Sequence, residues 1–447
     1  MDRKGARDTK PRRDRKRPAK FKGTNRHCIE TDISFASTSA AKIGRKSPEF
    51  EVKIDQTFSY VLIEFALVFG ALQQLLKCKN CDSDVRFYKK SIRGLGFKIC
   101  VDCLCSDPAE INSCPLINNA YEINRRFCFV MRILGIGIHG IRNFVALMDL
   151  SSTFNSTTYY GIMKMLHIVV KSVYTAVIQK AGSEEKKKNL EAENRADILT
   201  VSGDGSWSKR GFTSRMGIVS VIGKYTNKVM DVAVRSSFCK ACSLWKGREN
   251  TVEYDAWYAT HEPECNVNHE GSAGKMEVDG MLEIFQRSEE IHNAKYGFYI
   301  GDGDTKTFKM LLEAKPYGDK LTIKKKECTG ANTQNNNESF NHCVWQLAPK
   351  HIFCGKQTVE ITTYCAACTF NEGFDPLLKI METMGCTIGP IAADFAAKYK
   401  AERIKTADRR SSLDSKEART ARRTEISAEN EEFEEAEGVL YGPGIAD

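Results

Sequence analysis

The stretch Ile198-Leu199-Thr200-Val201-Ser202-Gly203-Asp204-Gly205-Ser206-Trp207 begins as an apolar, β-leaning run and ends on a carboxylate motif, Asp204-Gly205-Ser206-Trp207. Two more acidic signatures follow in order. Gly301-Asp302-Gly303-Asp304 comes directly after the aromatic and β-branched run from Tyr296 to Ile300, and Asn337-Glu338-Ser339-Phe340 lies further on. The last opens a segment with apolar residues at Phe340, Val344 and Leu347, a helical spacing that points an early-turn carboxylate toward a neighbouring sheet edge. Hard divalent cations take oxygen ligands, usually one or two carboxylates each beside water and substrate phosphate. Three converging acids therefore suit two ions. The bland reading of Asp-Gly and Gly-Asp-Gly-Asp is a turn after a strand; three such motifs in order favour the metal-holding triad.

The chain between the first two acids fits that arrangement. The run from 212 to 223 alternates and then turns apolar, Lys224-Tyr225-Thr226-Asn227 reads as a turn, and 228–238 contains Val229-Met230-Asp231-Val232-Ala233-Val234, so a meander of three antiparallel strands is expected to begin at Asp204. Met281, Ile284, Phe285 and Ile291 predict a helix over 276–293, and the next strand is expected to end in Asp302. Three antiparallel strands, a helix, then parallel strands with helices make an α/β, ribonuclease-H-like mixed sheet.

Longer strings carry a family likeness. Asp-Gly-Ser-Trp at 204–207 with Lys-Arg-Gly-Phe at 209–212, Phe-Cys-Lys-Ala-Cys-Ser-Leu-Trp at 238–245, Asn-His-Glu-Gly-Ser at 268–272, Gly-Asp-Gly-Asp-Thr-Lys at 301–306, Ala-Lys-Pro-Tyr-Gly at 314–318 and Asn-Glu-Ser-Phe-Asn at 337–341 resemble the Mutator-like transposase domain, over about 78–375. The resemblance implies a DNA transposase that cuts strands at element ends and joins them to target DNA. By motif, Asp204, Asp302 and Glu338 would be its catalytic carboxylates, with Asp304 the rival for the middle place, using two Mg²⁺ or Mn²⁺ ions. Lys209, Arg210 and Lys306 are candidates for phosphate contact, and Trp207 is expected to pack rather than stack on bases.

Two departures stand against that pattern. Ala331 occupies the place where the family's Cys-x-x-His element, begun here by Cys328, has its His, and Cys328 and Glu338 are only ten positions apart where the family inserts a large helical region. A helical segment is thus missing near 330–333. The alternative function is a catalytically inactive or domesticated zinc-containing DNA-binding protein derived from such a transposase.

Seventeen cysteines without a leading signal-peptide pattern argue for reduced thiols and metal sites rather than a disulfide framework. Cys78-x-x-Cys81 and Cys100-x-x-Cys103 are separated by eighteen residues that read as two strands and a basic turn, the spacing of a zinc ribbon, with Cys105 a register rival to Cys103. Cys239, Cys242, Cys265 and His269 read as a zinc knuckle inside an insertion otherwise poor in core pattern, and His261 is the substitute for His269. Cys365-x-x-Cys368, on an apolar helical run, reads as core.

Residues 1–27 hold twelve Lys or Arg against three Asp, far denser in cations than the chain's net +9. The cluster Arg12-Arg13-Asp14-Arg15-Lys16-Arg17 resembles a nuclear localisation signal, and Arg12, Arg13, Arg15, Lys16 and Arg17 would also bind DNA phosphates. A nuclear location is expected. The longest apolar stretch, 60–76, is short for a span, so no membrane segment is expected. The organisation read from the chain is a basic arm (1–27), a mixed segment with an apolar helix (28–77), the zinc ribbon (78–106), an all-helical module (107–182), a charged connector (183–195), the ribonuclease-H-like core with its zinc-knuckle insertion at 239–269 (196–375) and a charged tail (376–447). Packing is the expected role of the helical module; the alternative is assembly of a homo-oligomer, since a transposase must hold two DNA ends.

Overall fold

The computed structural model describes residues 37–44, 47–150, 154–209, 214–301, 305–326 and 332–413. Its centre is a five-stranded sheet: β1 (Ile198–Trp207), β2 (Met216–Gly223), β3 (Val229–Ser236), β4 (Lys295–Ile300) and β5 (Lys324–Lys325), in the spatial order β5-β4-β1-β2-β3. The meander β1-β2-β3 is antiparallel, with Asp204 opposite Ser220; β4 runs parallel to β1, with Ile300 beside Ser202, and β5 runs parallel to β4. Asp204 does not begin the first strand, as expected from sequence, but lies well inside it. The apolar run from Ile198 and the motif at 204–207 are one continuous strand.

Every residue of β2 is buried, which requires cover on both faces. Alternation divides them: Met216, Ile218 and Ile222 join one core, Val219 and Val221 the other. The first core contains α1 (Ser156–Glu193), α5 (Lys356–Glu372) and α6 (Asp375–Thr383); the second contains α2 (Ala273–Gln286) and Leu311 of α3 (Thr305–Ala314). The helix α4 (Asn332–Leu347) lies on the first face, with Phe340 and Val344 fully buried. On β1 the division is by polarity. Leu199 and Val201 join the α2 core, whereas Ser202, Asp204 and Ser206 face α4. The helix expected over 276–293 is broken in two, Ala273–Gln286 and Ser288–His292, at Arg287, which leaves the helix to pair with the buried Asp231.

The expected connector at 183–195 is not a linker. α1 runs unbroken for 38 residues from its cap, where Asn155 accepts from the Thr158 amide at 2.7 Å, to Asn194 in the left-handed region at φ 59°. Its charged last turns stay helical because their polar groups find partners inside. Glu185 accepts from the amides of Tyr225 and Thr226 at 2.9 and 2.8 Å, and Asn189 donates to the Arg195 and Ile198 carbonyls. By length and composition α1 is the one helix among the described residues that could cross a membrane. Twelve of its residues, recurring every helical turn along one face, are nevertheless buried within the chain.

The zinc-ribbon region is a three-stranded antiparallel sheet (Arg86–Arg93, Gly96–Cys103, Ser106–Asn112) that runs past the boundary expected at 106. Helices Glu122–Ile133 and Ile138–Leu147 then lead to α1. The expected charged tail is folded as far as residue 413: α6 buries Leu377, Leu378, Ile380 and Met381, and the helix Pro390–Leu413 returns Arg403 to the carbonyls of Thr369 and Phe370. The apolar stripe on α6 is the physical reason. Cys365 and Cys368 are fully buried in α5, as read from sequence.

A buried ion cluster ties these layers. Glu372 at the end of α5 accepts from Lys228, Lys180 and Ser47, and Lys228 also meets Glu184 at 2.7 Å. Burial raises the Glu372 pKa, but Lys228, Lys180 and Ser47 outweigh it and hold the carboxyl below its ordinary 4.5. A depressed folded pKa means that the stabilisation is present above the unfolded value and is lost as pH falls through the folded one. Wild-type protein is therefore expected to lose melting temperature more steeply below pH 4.5 than Glu372→Gln, which at pH 7 starts about 2 kcal/mol lower because Lys228 loses a charged partner. Parallel melting curves across that acid range would remove the cluster from the account.

Candidate functional site

The polar face of β1 is matched to α4 residue by residue. Asn337 donates to Ser202 Oγ at 2.7 Å, Asn341 to Asp204 Oδ2 at 2.7 Å, and the Trp345 indole to Ser206 Oγ at 2.8 Å. Four helical residues advance about 6.0 Å and two strand residues about 6.6 Å. The helix can therefore run alongside the strand in register, each turn meeting alternate strand side chains. On the other face Gly203 and Gly205 admit α2 closely: a Cβ on Gly203 would sit 2.5 Å from Met281 Cε, and one on Gly205 2.8 Å from Glu277 Cγ. The strand is thereby clamped from both sides around Asp204.

Asp204 is half-buried and Glu338 exposed. Glu338 follows Asn337 by one residue and precedes Asn341 by three, so it occupies the helical turn next to the one that holds Asp204. Strand and helix thus bring these two acids to one region. Asp302, two positions beyond the end of β4, and Asp304 lie outside the described residues, as do Arg210 and the basic cluster Arg12, Arg13, Arg15, Lys16 and Arg17. Lys306 on α3 and Lys209 just beyond β1 are exposed. Trp207 is a packing residue, half-buried, with its indole donating to the Ala273 carbonyl at 2.8 Å.

Both thiol-rich groups assemble, each with one ligand changed from the sequence expectation. Cys78, Cys81, Cys103 and Cys105 gather their sulfurs within 4.8 Å of one another. Cys78 lies 3.4 Å from Cys103 and 3.6 Å from Cys105, and Cys103 lies 3.0 Å from Cys105. Four sulfurs at about 2.3 Å from a tetrahedral zinc stand about 3.8 Å apart, so the donor set fits that ion. Cys100 is not among them. It sits in the middle of Gly96–Cys103, three residues before Cys103, and a period of two sends residues three apart to opposite faces of a strand. Cys100 is fully buried on the far face, and Cys105, in the two-residue hairpin turn, takes its place. The shared environment depresses the Cys103 thiol, chiefly through Cys105, and pushes Cys105 up to about 12, chiefly through Cys103.

The second group is Cys239, Cys242, His261 and Cys265. His261 Nε2 lies 3.4 Å from Cys239 Sγ and 3.3 Å from Cys242 Sγ, and Cys242 lies 3.5 Å from Cys265. The imidazole ends the helix Val252–His261 and is stacked on Trp257, one turn back, at 4.6 Å and 12°. His269, the expected fourth ligand, is held elsewhere. Its amide bonds the Ser236 carbonyl at the end of β3, its ring meets the Ser272 carbonyl at 3.1 Å and its Nδ1 lies 3.1 Å from Asp279.

These ligand sets make an expectation for metal analysis. The purified chain should carry two zinc ions, Cys105→Ser and His261→Ala should each remove one, and Cys100→Ser and His269→Ala should remove none. Loss of metal from the Cys100 or His269 variant with retention in the other two would return the ligands to the sequence-based sets.

Sequence reasoning missed the pairing of Asn337, Asn341 and Trp345 with the polar face of β1. A signal was there: polar positions four apart on a helix opposite polar positions two apart on a strand. A mixed sheet with acids on a strand and on the helix that clamps it, beside two cysteine-rich clusters that could hold zinc, defines the class as a mixed α/β protein with candidate zinc sites. The chain belongs to the Mutator-like transposase family, whose model matches residues 60–343, a span that includes all three acidic motifs and both clusters. A search of curated proteins and one of solved structures each found no match.

Proposed function

We propose that the chain is a ribonuclease-H-like DNA transposase that cleaves strands at element ends and transfers them to target DNA. The observation that carries this reading is the Asp204–Asn341 contact: the first acid of the triad is oriented by the helix that bears the last. The strand order β5-β4-β1-β2-β3, with β2 alone antiparallel to the other four, supports the ribonuclease-H-like assignment. In this reading Asp204, Asp302 and Glu338 hold Mg²⁺ or Mn²⁺, with Asp304 the rival to Asp302. Bound in pairs, such ions activate the attacking water or 3′-hydroxyl and stabilise the leaving oxygen. Asn341 fixes one Asp204 oxygen, Ser202 and Ser206 pin α4 above and below it, and the exposed Glu338 stays open to solvent and substrate. The zinc sites serve structure. The amino-terminal basic cluster would give nuclear localisation and salt-sensitive contact with DNA phosphates.

A second reading, a DNA-binding derivative without catalysis, is favoured by Ala331 and by the ten-residue step from Cys328 to Glu338. Incubating a labelled duplex that carries the element's ends with the full chain and Mg²⁺ separates the two. Metal-dependent nicks support the transposase; binding without nicks supports the derivative; no binding overturns both.

A further inference from the structure

Beyond the end of β1 lies a cavity of about 390 Å³ whose lining includes Lys209, Arg215, Trp345, His351, Ile352 and Phe353. One wall is shared with the candidate catalytic strand. Trp345 donates its indole N–H to Ser206, which stands two residues, roughly 7 Å, from Asp204. The lining continues into the segment that follows α4, where Phe353 is 63% exposed and Ile352 47% exposed. Two adjacent large apolar side chains thus face solvent in a cavity that also holds the cations Lys209 and Arg215. The rings are also braced. Phe353 meets Phe238 edge-on at 5.6 Å, and the Arg215 guanidinium lies over the Phe238 ring at 4.3 Å. That bracing keeps the Phe353 ring and the Arg215 charge in place together.

We propose that this cavity takes one unstacked nucleotide of the DNA strand bound at Asp204, with its base against Phe353 and Ile352 and its phosphate facing Lys209 and Arg215. The inference rests on the transposase reading for the identity of the strand. The chemistry selects the ligand. An inorganic anion has no use for an exposed aromatic wall, and an apolar segment has no use for the cations, whereas a nucleotide carries both a flat ring and a charge. Strand proteins that hold unpaired bases combine the same two elements, an aromatic face and a basic groove.

The test measures binding of the full chain, with Ca²⁺ in place of Mg²⁺, to a blunt duplex and to the same duplex with a short single-stranded overhang, at one salt concentration. The overhang should tighten binding roughly tenfold. Phe353→Ala and Ile352→Ala should erase that gain while leaving blunt-duplex affinity unchanged, and Phe353→Tyr should keep it; both positions are exposed, so the variants should fold. Equal binding of the two duplexes by the wild type, or a preference that survives Phe353→Ala, overturns the proposal while leaving the transposase reading intact. Failure to bind either duplex ends both. If free deoxyadenosine monophosphate binds, Phe353→Ala weakens it and the overhang adds nothing, the cavity serves a free nucleotide and the DNA assignment is wrong.

Discussion

Asp204→Asn is expected to lower Mg²⁺-dependent nicking by roughly a thousandfold or more, because in the proposed two-metal site the lost carboxylate forfeits several kcal/mol of transition-state charge stabilisation and each 1.4 kcal/mol is about tenfold in rate. The substitution is nearly isosteric. The Asn341 amide can still donate to the side-chain oxygen, and the β1–β2 register and the glycine-lined face against α2 are untouched, so folding and DNA affinity should survive. Asn341→Ala provides the internal control. It leaves the charge and removes only the group that orients it, and the loss of such an outer partner typically costs about ten- to a hundredfold in metal affinity or activity. Raising the Mg²⁺ concentration should therefore restore Asn341→Ala and leave Asp204→Asn inactive. Rates measured over a Mg²⁺ series for both variants distinguish these outcomes. If Asp204→Asn nicks at the wild-type rate, the nuclease activity belongs to another site or another protein. If Asn341→Ala fails to respond to Mg²⁺, the residue supports the fold rather than the carboxylate.

How much of this site can be read from sequence follows from which contacts are local. The order of the elements was legible because β2 and β3 are near-continuous apolar runs and the turn at 224–227 is local chemistry. The pairing of Asn341 with Asp204 was not, since it joins residues 137 positions apart. The two ligand exchanges have sharper causes. Cys100-x-x-Cys103 matches a metal spacing only when both residues sit on a turn; here both lie in one strand, and strand alternation overrides the motif. His269 lost its place to a backbone contact with Ser236, whereas His261 gained it through helical spacing from Trp257, a relation that the two rings four residues apart could have suggested. The charge of the stretch 183–195 gives no sign of burial in the sequence, yet Glu185 and Asn189 are both fully buried. For Glu185 and Asn189, tertiary partners satisfy polar groups that composition alone assigns to solvent.

Removing zinc from the second cluster, by chelation or by Cys242→Ser, is expected to melt the insertion from 239 to 265 and nothing else. Helices Lys240–Leu244 and Val252–His261 contain no buried residue, so no apolar core holds them. Their order comes from the cluster and from a ladder of rings around it: Trp245 stacks on Trp257 at 5.0 Å, and Trp257 on the ligand His261. Structural zinc contributes apparent free energies on the order of 10 kcal/mol at neutral pH, more than a short exposed helix pair can replace. The melting should stop at both ends. Before the insertion, β3 is buried within the central sheet; after it, Asn268 bonds the Ser236 amide at 2.7 Å and the Val234 carbonyl at 2.9 Å and so staples the chain back to that strand. Limited chymotrypsin digestion of the metal-free chain should therefore cut at Trp245, Tyr254, Trp257 or Tyr258 and spare α1 and the sheet. Because the staple keeps α2 against Gly203 and Gly205, Asp204 should keep its place and Mg²⁺-dependent nicking should outlast the loss of zinc. An insertion that resists protease after complete removal of the metal would mean that the ring ladder alone orders it, and the cysteines would then need another explanation. Nicking that disappears with the zinc would instead make the insertion part of the substrate-binding surface.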